Sequence, residues 1–394
     1  MLLPLSGIRV IDLSRLLPGP FCSQLLADFG ADVVKVEDLG SGDYARWAKP
    51  DGAFFTALNR NKRSVRLDLK HPGGREAFLA LVDGADVVLE SYRPGTLERL
   101  GLGYDRLLAR RPGLVICALT GYGQDGPYRM RAGHDLNYLA ATGVLDVSGD
   151  AGAPPAMAGV QIADVGGGAL MAAFGILIAL RHRESTGDGQ VVDVSMAHGA
   201  LSWLGPLAAE AAVGCPPQRG RLALGGGAIC YRTYAASDGR YVALAALEPK
   251  FFEAFCRGAG CDHLVPHQFD PPGSPAHAAL QAVFATRTAE EWEAFGVQHD
   301  CCLEPVRTLE EALRSPLVRE RGMVVNLGGV DVLGTPVVLS RTPARHDRRP
   351  VPALGEHTDE VLEEAGLTAV QVSALREDGA IGGPERGIAG SFLS

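Results

Sequence analysis

Just beyond a short basic run the chain reads Gly133-His134-Asp135-Leu136-Asn137-Tyr138. Thirty residues past His134 it reads Ile162-Ala163-Asp164-Val165-Gly166-Gly167-Gly168, ahead of small apolar residues. A histidine and an aspartate held at the ends of separate elements form a candidate acid/base pair. Glycines opening a helix beside the aspartate would add backbone N–H donors able to stabilise a developing oxyanion. Those are the parts that proton abstraction next to a carbonyl requires. Glu248, in Ala246-Leu247-Glu248-Pro249-Lys250, follows an apolar run and could pair with another site residue. Taken singly, each has a plainer reading: a structural histidine, a helix N-cap at Asp164, a surface loop end at Glu248.

The elements that must position these residues alternate along the first half. Ile8 to Leu13, Asp32 to Glu37, Asp86 to Ser91 and Leu114 to Leu119 read as strands. Between them, Phe21 to Phe29 ends at Gly30 as a helix C-cap, and Pro72 fits the first turn of a helix through Glu76 to Val82. Strand–helix alternation implies an open parallel sheet with crossover helices. Gly/Pro-rich stretches at Ser148 to Gly159 and Cys215 to Gly227 break the rhythm. Tyr231 to Ala235 and Tyr241 to Ala246 then flank a Ser237-Asp238-Gly239 turn as a hairpin. Thr288 with Glu291 and Thr308 with Glu311 fit capping boxes. The expected division is residues 1–220 as a large domain, 221–328 as a smaller one, and 329–394 as a segment returning to the first; the last dozen residues read as a loose tail.

With 394 residues, 46% of them hydrophobic, the chain can bury large cores. A net charge of −9 argues against a nucleic-acid partner. The N-terminus has no signal-peptide pattern, and the apolar stretch Ala169 to Leu180 reads as too short to span a bilayer, so a cytoplasmic protein is expected. Eight cysteines without a C-x-x-C pair suggest neither a disulfide framework nor a zinc ribbon. Cys256, Cys261, His263 and His267 lack common zinc spacing, so no metal is expected.

Five cations in eleven residues (Arg60, Lys62, Arg63, Arg66, Lys70), with Arg46, Lys49 and Arg93 nearby, could neutralise phosphates or could be a solvated strand entrance. A G-x-x-x-x-G-K-[ST] loop, a G-x-G-x-x-G after the first strand and a G-x-S-x-G elbow are all missing.

Runs along nearly the whole chain resemble the family III CoA-transferase (CaiB/BaiF) superfamily, and within it the α-methylacyl-CoA racemases. They are Leu5 to Ser14, Pro18-Gly19-Pro20, Leu26 to Glu37, Asn59 to Ser64, Gly121 to Tyr128, and Leu354-Gly355-Glu356-His357-Thr358. The resemblance implies an α/β fold: a Rossmann-like large domain completed by both chain ends, plus a smaller α+β domain, in an interlocked homodimer. It implies an acyl-CoA thioester substrate, with coenzyme A belonging to the substrate and no other cofactor. It places Arg46, Asn59, Arg60, Lys62, Arg93, Asp135, Tyr138, Gly166 and Gly167 at substrate- and CoA-binding positions. In the transferases the aspartate matching Asp164 is a covalent nucleophile; in the racemases the residues matching His134 and Asp164 exchange the α-proton, with the one matching Glu248 supporting the histidine. One position departs. Racemases commonly have an asparagine four residues before the aspartate, and here Val160 stands there. A valine cannot orient the carboxylate, which leaves that task to Gln161 or a backbone donor, or points to transfer or a different acyl group. A non-catalytic acyl-CoA-binding protein would need the basic patch but not His134, Asp164 and Glu248 together.

Overall fold

The computed structural model describes residues 2–48 and 52–385, so Lys49 and the end of the expected tail lie outside the described residues. The chain forms two compact units. The larger comprises 1–142, 160–202 and 320–394, and the smaller 143–159 and 203–319. The smaller unit thus starts earlier than the glycine-rich signal at 215–227 suggests, and it also takes in the loop 143–159.

The larger unit is built on six parallel strands: β1 (Arg9–Asp12), β2 (Asp32–Glu37), β3 (Lys62–Leu67), β4 (Val87–Glu90), β5 (Val115–Thr120) and β6 (Val191–Ser195). Their spatial order is β3-β2-β1-β4-β5-β6, with Ile381–Gly382 added antiparallel to β3 at the edge. This is the doubly wound arrangement, in which ligands bind outside the carboxyl ends of the strands where the order reverses, here between β1 and β4. Strands buried on both faces read as continuous apolar runs, which explains why β1, β2, β4 and β5 were visible in the sequence.

β3 was not, because its sequence is Lys-Arg-Ser-Val-Arg-Leu; all six residues are nevertheless buried. Its cations are matched by carboxylates from neighbouring elements. Arg63 meets Asp32 at 2.6 Å and Glu360 and Glu364 at 2.9 Å, and Lys62 lies 3.5 Å from Asp12. Arg60, just ahead of the strand, donates to Asp28 at 2.6 Å. Asp28, in the helix Pro18–Asp28, also accepts from Asn61 (2.8 Å) and Thr335 (2.6 Å). Arg348 donates to the Ala27 and Ala31 carbonyls at 2.7 and 2.9 Å. The C-terminal segment is therefore fastened to the first βα unit by polar contacts.

The smaller unit has a three-stranded antiparallel sheet: β7 (Tyr231–Ala235), β8 (Tyr241–Ala245) and β9 (Leu303–Pro305). Behind it an aromatic core joins Tyr234, Phe252, Phe255, Phe284, Trp292 and Phe295. Both capping boxes form: Thr288 and Thr308 Oγ1 accept from the Glu291 and Glu311 N–H groups at 3.2 Å. All eight cysteines are free thiols.

The helical run Ile162–Thr186 exceeds the stretch singled out in the sequence. With a mean hydropathy of 1.9 over its most apolar window, it is long and apolar enough to cross a membrane by length and composition. Its small residues are used in packing. A Cβ on Gly167 would stand 2.6 Å from the Ala200 nitrogen and the Met196 oxygen, so the helix Met196–Ser202 lies directly against its start.

Candidate active site

The carboxyl ends of β1, β4, β5 and β6 open onto one cavity of about 440 Å³, lined wholly by the larger unit. Arg15 and Leu16 follow β1, Ser91 to Pro94 follow β4, Gly121 and Tyr122 follow β5, and Met196 follows β6. The β5–β6 connection supplies His134, Tyr138 and Asp164 to the same wall. The pair expected from the sequence therefore shares one cavity.

His134 is the residue before the helix Asp135–Ala141, an extended position with φ −127° and ψ 177°. Its backbone N–H donates to Asn137 Oδ1 at 3.0 Å, which fixes the main chain. The imidazole is exposed. Asp164 stands in the first turn of a π-helix, Ile162–Ala169. π-Turns are rare and concentrate at functional sites. Burial, and then the negative charge of Asp135, push the Asp164 carboxyl up to about 6 against the pull of His134.

Asp135 is a positioning residue. Its Oδ1 accepts from the Ala163 and Asp164 N–H groups at 2.6 and 2.9 Å, holding the helix start that carries the site carboxyl. Expected as a substrate contact, it is spent on the backbone. It also takes over the ordering left open by Val160, which is exposed. Gln161 serves through its main chain, its carbonyl accepting from the Val165 N–H at 3.2 Å.

Tyr138 is buried under the loop, its hydroxyl donating to the Gly133 carbonyl at 2.6 Å. The ring fits because position 121 is glycine: a Cβ there would lie 2.6 Å from it. Burial and then the Asp164 charge raise the Tyr138 phenol above its usual range.

Several expectations need correction. Gly166, Gly167 and Gly168 lie inside the helix, since it begins at Ile162. The first N–H groups of that helix are already taken by Asp135 and Gln161, so the glycines supply close packing and not oxyanion donors. Arg60 and Lys62 are also not placed to meet phosphates. Both are buried, Arg60 donating to Asp28 and Lys62 to Asn59 Oδ1 (2.8 Å) and the Pro20 carbonyl (3.0 Å). Burial, with Lys35 as a like charge, pushes Lys62 down to about 8 despite Asp12. Asn59 is itself fully buried as that lysine's acceptor. Arg46 donates to both Glu37 carboxylate oxygens at 2.8 and 2.6 Å and stacks on Phe55 at 3.8 Å. The cations of this wall are instead Arg15, Arg93, Arg129 and Arg131. Arg15 is bound to Asp38 at 2.9 Å. No described carboxylate bonds the other three. Arg129 and Arg131 were visible only as the basic run before Gly133.

Glu248 belongs to the smaller unit, exposed at the N-cap of the helix Pro249–Ala259.

Comparison with known proteins agrees with this layout. The model of CoA-transferase family III matches residues 5–358. The chain belongs to CoA-transferase family III. It is 40% identical over 380 residues to the α-methylacyl-CoA racemase of Mus musculus, covering 95% of this chain and 96% of that protein. It is 34% identical to the succinate–glutarate CoA-transferase of Agrobacterium fabrum, covering 92% and 95%. The crystal structure of a CaiB/BaiF family protein from Brucella suis superposes with a TM-score of 0.82 at 32% identity, over 93% of this chain and 100% of that one. As a family III member the chain is an enzyme of the CoA-transferase and racemase group, and its α/β fold with a largely parallel sheet is that of the family.

Proposed function

We propose that this family III enzyme racemises 2-methylacyl-CoA thioesters by moving the α-proton between His134 and Asp164. One observation carries the reading: an exposed imidazole and a carboxyl raised to about 6 line the same cavity. A general base works best when its pKa lies near the operating pH, and burial has brought Asp164 toward that range. One residue takes the proton from the α-carbon, the C–H electron pair passes into the thioester carbonyl as an enolate, and the other returns a proton to the opposite face. Asp135 holds the Asp164 backbone during both transfers. Arg93, after β4 beside the strand-order switch, lines this cavity, which supports its assignment to the CoA phosphates. The identity to a racemase over nearly the full chain supports the same assignment.

A second reading has its own observation. No described residue hydrogen-bonds the Asp164 carboxylate, which leaves it free to attack a thioester as the transferase nucleophile. Substitution separates the two. Under racemisation His134→Ala and Asp164→Ala each abolish turnover, a loss of about a thousandfold or more, since each cycle uses both groups. Under transfer only Asp164→Ala is fatal, and hydroxylamine with an acyl-CoA donor traps wild-type Asp164 as a hydroxamate. Mass-spectrometric detection of that adduct would overturn the racemase reading.

The enzyme is further proposed to act as a homodimer. Leu170, Phe174, Leu177 and Ile178 form an exposed apolar row on the helix Leu170–Thr186, at the i, i+4, i+7, i+8 spacing of one helix face.

A further inference from the structure

Glu90 ends β4, immediately ahead of the strap Ser91 to Pro94 that lines the cavity, and it is only 2% exposed. Its carboxylate accepts from the Tyr92 N–H at 2.8 Å and from the Tyr104 hydroxyl at 2.5 Å. The first contact fixes the main chain of the strap, and the second ties it to the helix Tyr104–Arg110. Both donors are neutral. The charges acting on Glu90 are themselves negative: Glu98 in the helix Thr96–Arg99 and Asp193 in β6. The other titratable groups facing it are the Tyr92 and Tyr104 phenols and, on β5, the Cys117 thiol.

A buried carboxylate with no cation beside it is costly in its charged form. Burial accordingly pushes the Glu90 carboxyl up to about 7, with the two hydrogen bonds opposing and the Glu98 and Asp193 charges adding to the rise. Its neutral form can hold the strap equally well. One oxygen still accepts from the Tyr92 N–H, while the other turns donor to the oxygen of half-buried Tyr104, whose own hydrogen is free to face water. A polyanion seated at Arg93, three residues on, brings further negative charge and favours that neutral form. Resting on the reading of this cavity as an acyl-CoA site, we infer that Glu90 is the positioning residue of the strap and takes up a proton from solvent as the CoA anion binds. Affinity for CoA then falls as pH rises.

Calorimetry of free CoA with the full-length enzyme, at about pH 7.5 in HEPES and in Tris, counts the protons exchanged on binding. Asp164 and the CoA phosphate monoester also titrate, so the readout is the difference between wild type and Glu90→Gln, which carries the hydrogen bonds of the neutral form permanently. If the bound anion tightens the proton about tenfold, the wild type takes up about half a proton more than Glu90→Gln. Glu90→Gln is expected to match wild-type affinity at about pH 6 and to bind CoA severalfold more tightly at about pH 8.5. Glu90→Ala shares its charge but makes neither hydrogen bond, and is expected to bind about tenfold more weakly than Glu90→Gln at both. Equal proton counts in wild type and Glu90→Gln, or Glu90→Ala binding CoA as well as Glu90→Gln does, overturns the inference. A wild-type enzyme that binds no CoA at all is a distinct result, which removes the acyl-CoA reading and this inference with it.

Discussion

The reactivity of Asp164 is set by its neighbours more than by its identity. Burial raises the carboxyl, the Asp135 charge raises it further, and His134 opposes both. The sign follows for stability: a carboxyl that binds its proton more tightly when folded penalises the fold as pH rises from the ordinary carboxylate range through about 6. For activity, turnover in the direction where Asp164 is the base is expected to fall about tenfold per pH unit below that value. Asp135→Asn keeps an acceptor for the two N–H groups and removes the charge. Its acid limb is expected to move down by about half a unit or more, with kcat on the plateau changed less than its pH dependence. A limb that stays at about 6 in this variant would contradict the role given to Asp135. The sequence announced the histidine–aspartate pair because both flank glycines and element boundaries. It could not announce Asp135 as a holder of main chain, since that depends on a contact between residues 28 and 29 positions apart.

At the level of elements, what was legible followed apolar periodicity, and what was missed followed charge. β3 carries three cations in six residues and still forms a buried strand, because Asp12, Asp32, Glu360 and Glu364 come from elsewhere in the fold. Local propensity holds no record of such partners. The triple glycine was misread for a related reason: its use is a close approach to a helix thirty residues later, which no local signal reports. The contact is tight from both sides, since a Cβ on Gly199 would fall 1.9 Å from the Gly167 carbonyl oxygen. Gly199→Ala must push the π-helix and Asp164 aside, and is expected to cost about 3 kcal/mol or more in urea unfolding. An unchanged midpoint would show that the two helices do not meet in this way. The hairpin and both capping boxes were read correctly because their hydrogen bonds close within a few residues.

On the scale of the whole molecule, the larger unit is assembled from three separate stretches of chain. Its last stretch is joined to the first by Asp28 with Thr335, by Arg348 with the Ala27 and Ala31 carbonyls, and by Arg63 with Glu360 and Glu364. The core of this unit therefore cannot close before residues 335 to 364 are in place. The apolar row on the helix Leu170–Thr186 is exposed in this chain, and it is the face assigned to a second copy in the proposed homodimer. Sedimentation at micromolar concentration is expected to give a dimer that persists on dilution, and a lasting monomer would remove the proposed assembly. The central claim, that two groups on one cavity exchange an α-proton, is tested most directly in deuterated water. One enantiomer of a 2-methylacyl-CoA, incubated with the enzyme and no carboxylic acid acceptor, is expected to lose its optical activity while gaining one deuterium at the α-carbon. A thioester that stays chiral and unlabelled at high enzyme concentration would contradict the account.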